Sequence, residues 1–234
     1  MVSKIVAALQ SVDWNLNVQA FCNEGAVPAH VQACNVRIAH WAGQFEQIYK
    51  GNPALSFVRD MQVSGHHAAC LLALALYKPA AAAMRGMLES ALYFTYFHSH
   101  QVELQTLARN ADYYIDKREV LDFHKRHTAN FVESQQVIGL VARLNRWYGT
   151  TSAIVHGQLP GVWVQSSSVA GIVQDSRTLG LATKHFVEGE DIVNRLLICA
   201  VGKNVWGFLS PESKRVIVKG LNAKIKTALS LDVA

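Results

Sequence analysis

The chain has 234 residues, of which half are apolar and 17% are charged, and its formal net charge is +5 with a pI near 9.1. This composition excludes an intrinsically disordered protein, and the length is sufficient for one domain with a complete hydrophobic core. The basic excess is mild, so it permits attraction to nucleic acid or acidic partners without establishing it.

The first half of the chain has the periodicity of α-helices. In the second predicted segment, Val31, Cys34 and Ile38 follow a three-and-four spacing after Pro28, which suits a first helical turn. Ser3 is a candidate N-cap for the first helix. Gly65 is a weak point inside the third. The predicted helices cover residues 3–24, 28–49, 54–77 and 79–97.

The second half is more varied. We predict two exposed helices within 98–127, a long helix over 130–156, and two closing helices over 188–209 and 211–231. Glycine, proline and serine flank short β-like pieces near 160–175, which favours a hairpin there. The predicted fold is therefore mainly all-α, a single helical-bundle domain over 1–234 with a short β-hairpin-like insertion.

Neither a signal peptide nor a membrane span is predicted. The start MVSKIVAALQSVDW has too short an apolar centre, and the run ending at Tyr77 follows His66 and His67 too closely to supply the roughly 20 apolar residues of a span. The absence of CxxC spacing is typical of buried thiols in a reducing compartment. The four cysteines are Cys22, Cys34, Cys70 and Cys199. We therefore expect a cytoplasmic protein that does not enter a membrane.

Residues 68–97 form the most apolar part of the chain, and the only charges among them are Lys78, Arg85 and Glu89. A helix this apolar is predicted to occupy the centre of the fold. Charges that reach a protein interior are normally paired, because an isolated buried ion costs several kcal/mol. We therefore expect Arg85 and Glu89 to form either a structural ion pair or the floor of a functional site.

A second polar group stands on the helix predicted over 130–156. Tyr148, Ser152 and His156 are spaced by four residues, so they share one helix face. We expect this face to meet Arg85 and Glu89. In the catalytic interpretation His156 is a general base or acid oriented by Glu89, and Arg85 holds an anionic substrate group. Arg146 can reach the same region as a phosphate contact. In the structural interpretation the same side chains satisfy a buried ion pair.

These two groups together resemble HEPN-like domains, the helical bundles of prokaryotic toxins and phage-defence systems. The resemblance covers about residues 55–160. It implies an antiviral-defence or toxin–antitoxin component, homodimerisation, and either RNA or a protein of the same system as partner. It is carried by Arg85, Glu89, Tyr148, Ser152, His156 and Gly157.

The chain departs from the pattern of active HEPN ribonucleases, in which four to six residues separate an Arg from a His. His156 has no Arg at that distance. Arg59 with His66, and Arg118 with His124, do have it. With so many arginines and histidines in the chain, such matches arise readily at random.

The predicted function is thus binding or metal-independent cleavage of RNA through Arg85, Glu89, Tyr148, Ser152 and His156. Arg146 and a basic patch, Lys117, Arg118, Lys125 and Arg126, are the predicted nucleic-acid contacts. The alternatives are a non-catalytic protein-interaction module and a small-molecule sensor. No cofactor is expected, and no metal, since neither His66, His67 and Cys70 nor Cys22, His30 and Cys34 have a recognised ligand spacing.

Overall fold

Apolar residues at helical spacing produce helices throughout the computed structural model, which describes residues 3–164 and 166–231. No strand occurs within these ranges, so the predicted all-α helical class is confirmed. The α-helices are α1 (Lys4–Ser11), α2 (Trp14–Asn23), α3 (Val27–Ile48), α4 (Leu55–Ala73), α5 (Tyr77–Phe97), α6 (Gln101–Arg109), α7 (Lys117–His127), α8 (Phe131–Ile138), α9 (Leu140–Val155), α10 (Ser176–Leu197), α11 (Lys203–Val205), α12 (Pro211–Ile217) and α13 (Ala223–Ala228).

Helix α5 lies at the centre of the fold, as its composition predicts. It packs against α4, α7, α9 and α10, and Met84, Met87 and Leu88 on it have no exposed surface. The predicted weak point, Gly65, instead serves packing between α3 and α4. A Cβ there would stand 3.0 Å from both Asn35 Oδ1 and Ile38 Cδ1, so a larger residue would require these two side chains to shift.

Two predicted helices are each divided. The helix expected over 3–24 breaks after Ser11, and the Asp13 side chain caps α2 by accepting the Leu16 N–H at 2.8 Å. Ser3 makes no capping hydrogen bond. The helix expected over 130–156 breaks at Gly139, whose left-handed backbone (φ 61°) separates α8 from α9. α9 is the segment that carries the predicted Tyr148–His156 face.

The prediction of a β-hairpin near 160–175 is wrong. Apart from Gln165, which lies outside the described residues, the segment consists of turns and one 3₁₀ turn, Val169–Gly171. Val162 and Val164 favour a strand, but both are more than a third exposed, so they lack the buried face on which one side of a strand normally packs. Helix α10 follows directly and begins twelve residues before the predicted start at 188, capped by Asp175 through the Thr178 N–H.

The C-terminal region is less regular than predicted. A buried π-helical segment, Ile198–Gly202, follows α10, and the helix expected over 211–231 divides at Gly220, where φ is 89°. Of the two helices expected to be exposed within 98–127, α6 buries no residue, but α7 buries three, so it is part of the core.

Two further sequence-based expectations concern the cysteines and membranes. Cys34 and Cys199 are buried as expected, whereas Cys22 and Cys70 are exposed. Among the described residues, none of the helices combines the length and the apolar character that crossing a bilayer requires.

Candidate functional site

The predicted polar side chains meet where α5 and α9 face each other. Arg85 Nε donates to Glu89 Oε1 at 2.8 Å, and the Tyr148 hydroxyl donates to the same oxygen at 2.7 Å. These side chains, with Lys117 at the start of α7, line a cavity of about 320 Å³, which we call the Arg85 cavity. Because each residue stands on a long packed helix or at its first turn, the backbone holds their spacing rigidly.

His156 joins this network through Arg85. Arg85 Nη1 lies 2.9 Å from His156 Nε2. A guanidinium has only donors, so this contact is a hydrogen bond in the tautomer whose Nε2 is the acceptor and whose ring N–H lies on Nδ1. Glu89 is the residue predicted to contact His156. The contact is made instead by Arg85, which links Glu89 on one side to His156 on the other.

The electrostatics of the cluster centre on Arg85 and Tyr148. The Arg85 guanidinium carbon lies 5.0 Å from the centre of the Tyr148 ring, and Lys117 Nζ lies 5.2 Å from it. Burial and the neighbouring Glu89 carboxylate raise the pKa of Tyr148 to about 12, so its hydroxyl stays protonated and donating. Burial opposes the charge of Arg85, but its bonds to Glu89 outweigh this and raise its pKa.

Ser152 and Arg146 do not take part in these contacts. The Ser152 hydroxyl lies one turn from Tyr148 and one from His156, and is buried without a hydrogen-bond partner among the described residues. Arg146 is exposed on α9 and does not line the Arg85 cavity. The structure therefore brings together Arg85, Glu89, Tyr148 and His156 from the predicted catalytic set.

Of the predicted basic patch, only Lys117 reaches the Arg85 cavity. Burial lowers its pKa, and its Nζ donates to Asn145 Oδ1. Arg118 and Lys125 both contact Asp122, at 3.8 and 2.8 Å, so this carboxylate offsets part of their charge. Arg126 lines a different cavity, described below.

The two pairs with HEPN-like spacing do not form sites. Arg59 is paired with Glu46 on the surface, through Nε at 2.6 Å, while His66 is exposed. His124 is 1% exposed, lies 3.0 Å from Thr95 Oγ1 and 2.8 Å from Thr128 Oγ1, and has its pKa lowered by burial to about 4. It is a neutral core residue that Arg118, 87% exposed, does not approach.

Glu190 is the most deeply buried carboxylate among the described residues, and it was not predicted from the sequence. Glu190 on α10 is 1% exposed, and Arg37 on α3 donates to it through Nε at 2.7 Å and through Nη2. Arg85 and Glu89, at 24% and 39% exposure, lie nearer the solvent. The available signal was periodicity, because Glu190 is four residues after buried Phe186 and three before buried Val193.

The fold and this site define an all-α chain with a tyrosine-lined polar cavity between two core helices. Among the residues that the structure describes, no group of three or more His, Cys, Asp or Glu side chains is placed to hold a metal ion. No family model, no curated protein and no solved structure matches the chain.

Proposed function

We propose that the chain binds single-stranded RNA at the Arg85 cavity and cleaves it through His156, within a bacterial defence or toxin-type system of the kind that HEPN-like domains serve. The hydrogen bond from Arg85 Nη1 to His156 Nε2 carries this proposal. A histidine ring nitrogen that can accept a proton lies there beside a permanent cation, the kind of group that stabilises phosphate charge.

The reaction follows from competition for Arg85. A phosphate oxygen that accepts from Nη1 releases the lone pair of His156 Nε2, which can then take the proton of a ribose 2′-hydroxyl. The 2′ oxygen bonds to phosphorus as the bond to the 5′ oxygen breaks, and the proton held by His156 passes to that leaving oxygen. The products are a 2′,3′-cyclic phosphate and a 5′-hydroxyl end.

The other side chains support Arg85 and the RNA. Glu89 fixes Arg85 through Nε, and Tyr148 fixes Glu89, so the guanidinium is oriented before RNA binds. Lys117 makes no ion pair among the described residues, and its Nζ donates to Asn145. Burial lowers the pKa of Lys117, and Asp116, which lines the same cavity, partly opposes this shift. An ammonium has three donors, so Lys117 can also donate to a phosphate at the cavity. The rings of Tyr93, Tyr114 and Tyr148 line the cavity, and aromatic rings of this kind stack unpaired bases.

The test compares wild type with His156→Ala on an end-labelled, unpaired RNA, with and without EDTA. We expect His156→Ala to bind RNA as wild type does but to cut it at least about 10²-fold more slowly, the usual effect of losing a general base. Cleavage should continue in EDTA, because side chains supply the base. His66→Ala, which alters an exposed histidine on α4, is the matched control and should cut normally.

Other results would favour the alternatives. If wild type neither binds nor cuts RNA and His156→Ala melts several degrees lower, the network is scaffolding and the chain acts through a protein partner. If small anions raise the melting temperature and RNA does not, the cavity is a sensor site, for which 320 Å³ is near the lower end of ligand-pocket volumes. The homodimer stays a prediction, to be tested by sedimentation at micromolar concentration.

A further inference from the structure

A second cavity lies beside the Arg85 cavity and shares part of its wall. This cavity has a volume of about 430 Å³, and Tyr114 and Ile115 line both cavities. We call it the Tyr96 cavity, after the tyrosine on the opposite side. A ligand that passes over Tyr114 therefore contacts both cavities at once.

Tyr114 is the aromatic surface that remains open at this boundary. Tyr114 is 70% exposed, whereas Tyr96, Phe123 and His127 in the same cavity pack on one another. Tyr96 stacks on His100 with ring centres 4.1 Å apart, and Phe123 meets Tyr96 edge-on at 5.1 Å. An exposed aromatic ring beside a cavity lined by other aromatic side chains is suited to stacking with a nucleobase.

The polar groups of the Tyr96 cavity are mainly acceptors. The hydroxyls of Tyr96 and Tyr113 both donate to Glu103 Oε2, at 2.6 and 3.4 Å, which fixes the carboxylate while neither bond uses Oε1. Glu119 and Asp122 add two more carboxylates, but Glu119 Oε2 accepts the Asp116 N–H, and Asp122 is paired with Arg118 and Lys125. Glu103 makes no ion pair among the described residues, so its carboxylate repels a phosphate and attracts a group rich in N–H donors.

We infer, on the basis of the proposed function, that the Tyr96 cavity selects a guanine base whose phosphate occupies the Arg85 cavity. Guanine alone among the four RNA bases presents two adjacent donors, N1–H and the N2 amino group, on its Watson–Crick edge. A carboxylate accepts both at once, as in other bidentate contacts. Oε1 of Glu103 accepts from neither tyrosine, and Oε2 takes the second donor in place of the long 3.4 Å contact from Tyr113. Adenine and cytosine place an acceptor beside their amino group, and uracil has one donor between two acceptors. The substrate class is therefore single-stranded RNA with guanine next to the cleaved phosphate.

The test uses 2′-O-methyl decamers, which lack the 2′-hydroxyl and so cannot be cut by the proposed reaction. Four oligonucleotides are compared by fluorescence anisotropy: ten uridines, and the same sequence with one central guanosine, adenosine or cytidine. Wild type should bind the guanosine decamer about tenfold more tightly than the others, the discrimination of one bidentate contact. Glu103→Gln should reduce this ratio to near one, and any gain in affinity from removing its negative charge should be the same for all four decamers.

Two further variants keep the test decisive. Glu133→Gln removes an exposed carboxylate on α8, away from both cavities, and should keep the tenfold preference. Tyr114→Ala changes a side chain that is 70% exposed, so it should fold normally even if Glu103→Gln does not, and it should weaken binding of the guanosine decamer most.

The outcomes separate this inference from the proposed function. Equal binding of all four decamers by wild type overturns the guanine cavity and leaves RNA binding standing. A guanosine preference that survives in both Glu103→Gln and Tyr114→Ala places the selection elsewhere and also overturns it. Failure to bind any decamer, together with failure to bind unmodified RNA, overturns the proposed function and the guanine cavity together.

Discussion

Gly189 on α10 is the position where one added methyl group should do most damage to the frame of the site. A Cβ built there stands 2.4 Å from Cζ2 and 2.8 Å from Cε2 of Trp147 on α9. Ordinary contact begins near 3.4 Å, so the indole must retreat by roughly 1 Å. It has little room to do so, because Trp147 is 3% exposed, stacks on His185 and donates from Nε1 to the His185 carbonyl at 2.9 Å.

The magnitude follows from two opposing terms. Gly→Ala in a helix interior stabilises by about 1 kcal/mol, whereas overpacking a well-filled core costs about 1–3 kcal/mol. Gly180 lies in the same helix, is exposed, and a Cβ there meets nothing within 4 Å. Gly180→Ala should therefore show the gain in helix stability without any clash. The difference in free energy of unfolding between Gly180→Ala and Gly189→Ala isolates the clash, and we expect it to be about 1–3 kcal/mol.

The assay is urea unfolding followed by circular dichroism on wild type and both variants. Gly180→Ala should be more stable than wild type and Gly189→Ala the least stable of the three if the clash exceeds the helix gain. RNA binding should also weaken in Gly189→Ala, because Trp147 precedes Tyr148 and a shifted indole moves α9. If the two variants unfold within about 0.5 kcal/mol of each other, the close approach of α9 and α10 at Gly189 is refuted.

Three other predictions concern charges. Glu190→Gln leaves a buried guanidinium uncompensated and should cost about 3–5 kcal/mol of stability, whereas Glu46→Gln, in an exposed pair, should cost less than about 1 kcal/mol, both by urea unfolding. Burial lowers the pKa of His124 to about 4 in the folded chain, whereas the ordinary value in the unfolded chain is 6.5. The unfolded chain therefore takes up the proton first, and the contribution of His124 to stability is complete only above pH 6.5. That contribution should be lost as the pH falls from 6.5 towards 4, and a His124→Phe variant should show a flatter melting profile across this window. Lys117→Glu should weaken RNA binding more than Arg118→Glu, because Lys117 lines the Arg85 cavity and Asp122 already contacts Arg118. The measurement is RNA affinity over a salt titration, and equal losses in the two variants would argue against the Arg85 cavity as the phosphate site.

The fold class could be predicted from the sequence because helical periodicity is a local property of side-chain spacing. The errors arose where one backbone angle or a missing neighbour decides the outcome. Gly139 adopts a left-handed conformation that divides one helix, and the Asp13 cap begins another where the apolar pattern continues. Val162 and Val164 favour a strand by composition, but the hairpin does not form at these exposed positions. Periodicity carries no information about either condition.

The candidate site could be predicted in part for the same reason. The four-residue spacings of Arg85 with Glu89, and of Tyr148, Ser152 and His156 with one another, place each group on one helix face from sequence alone. Which of them meet across the helices depends on how α5 and α9 pack, so the bond from Arg85 to His156 was not foreseen. Glu190 was missed because its partner, Arg37, lies 153 residues away.

The contrast between the two ion pairs shows which one a ligand can reach. The Arg37–Glu190 pair is closed: Glu190 is 1% exposed, both of its oxygens accept from Arg37, and no ligand can reach the carboxylate without opening the core. Arg85 belongs to the most buried helix, yet its guanidinium opens onto a cavity and bonds a histidine that is exposed to solvent. A site needs both a rigid backbone and an accessible head group. Of the two pairs, only Arg85–Glu89 combines a rigid backbone with an accessible head group. We therefore propose this pair, and not Arg37–Glu190, as part of the functional site.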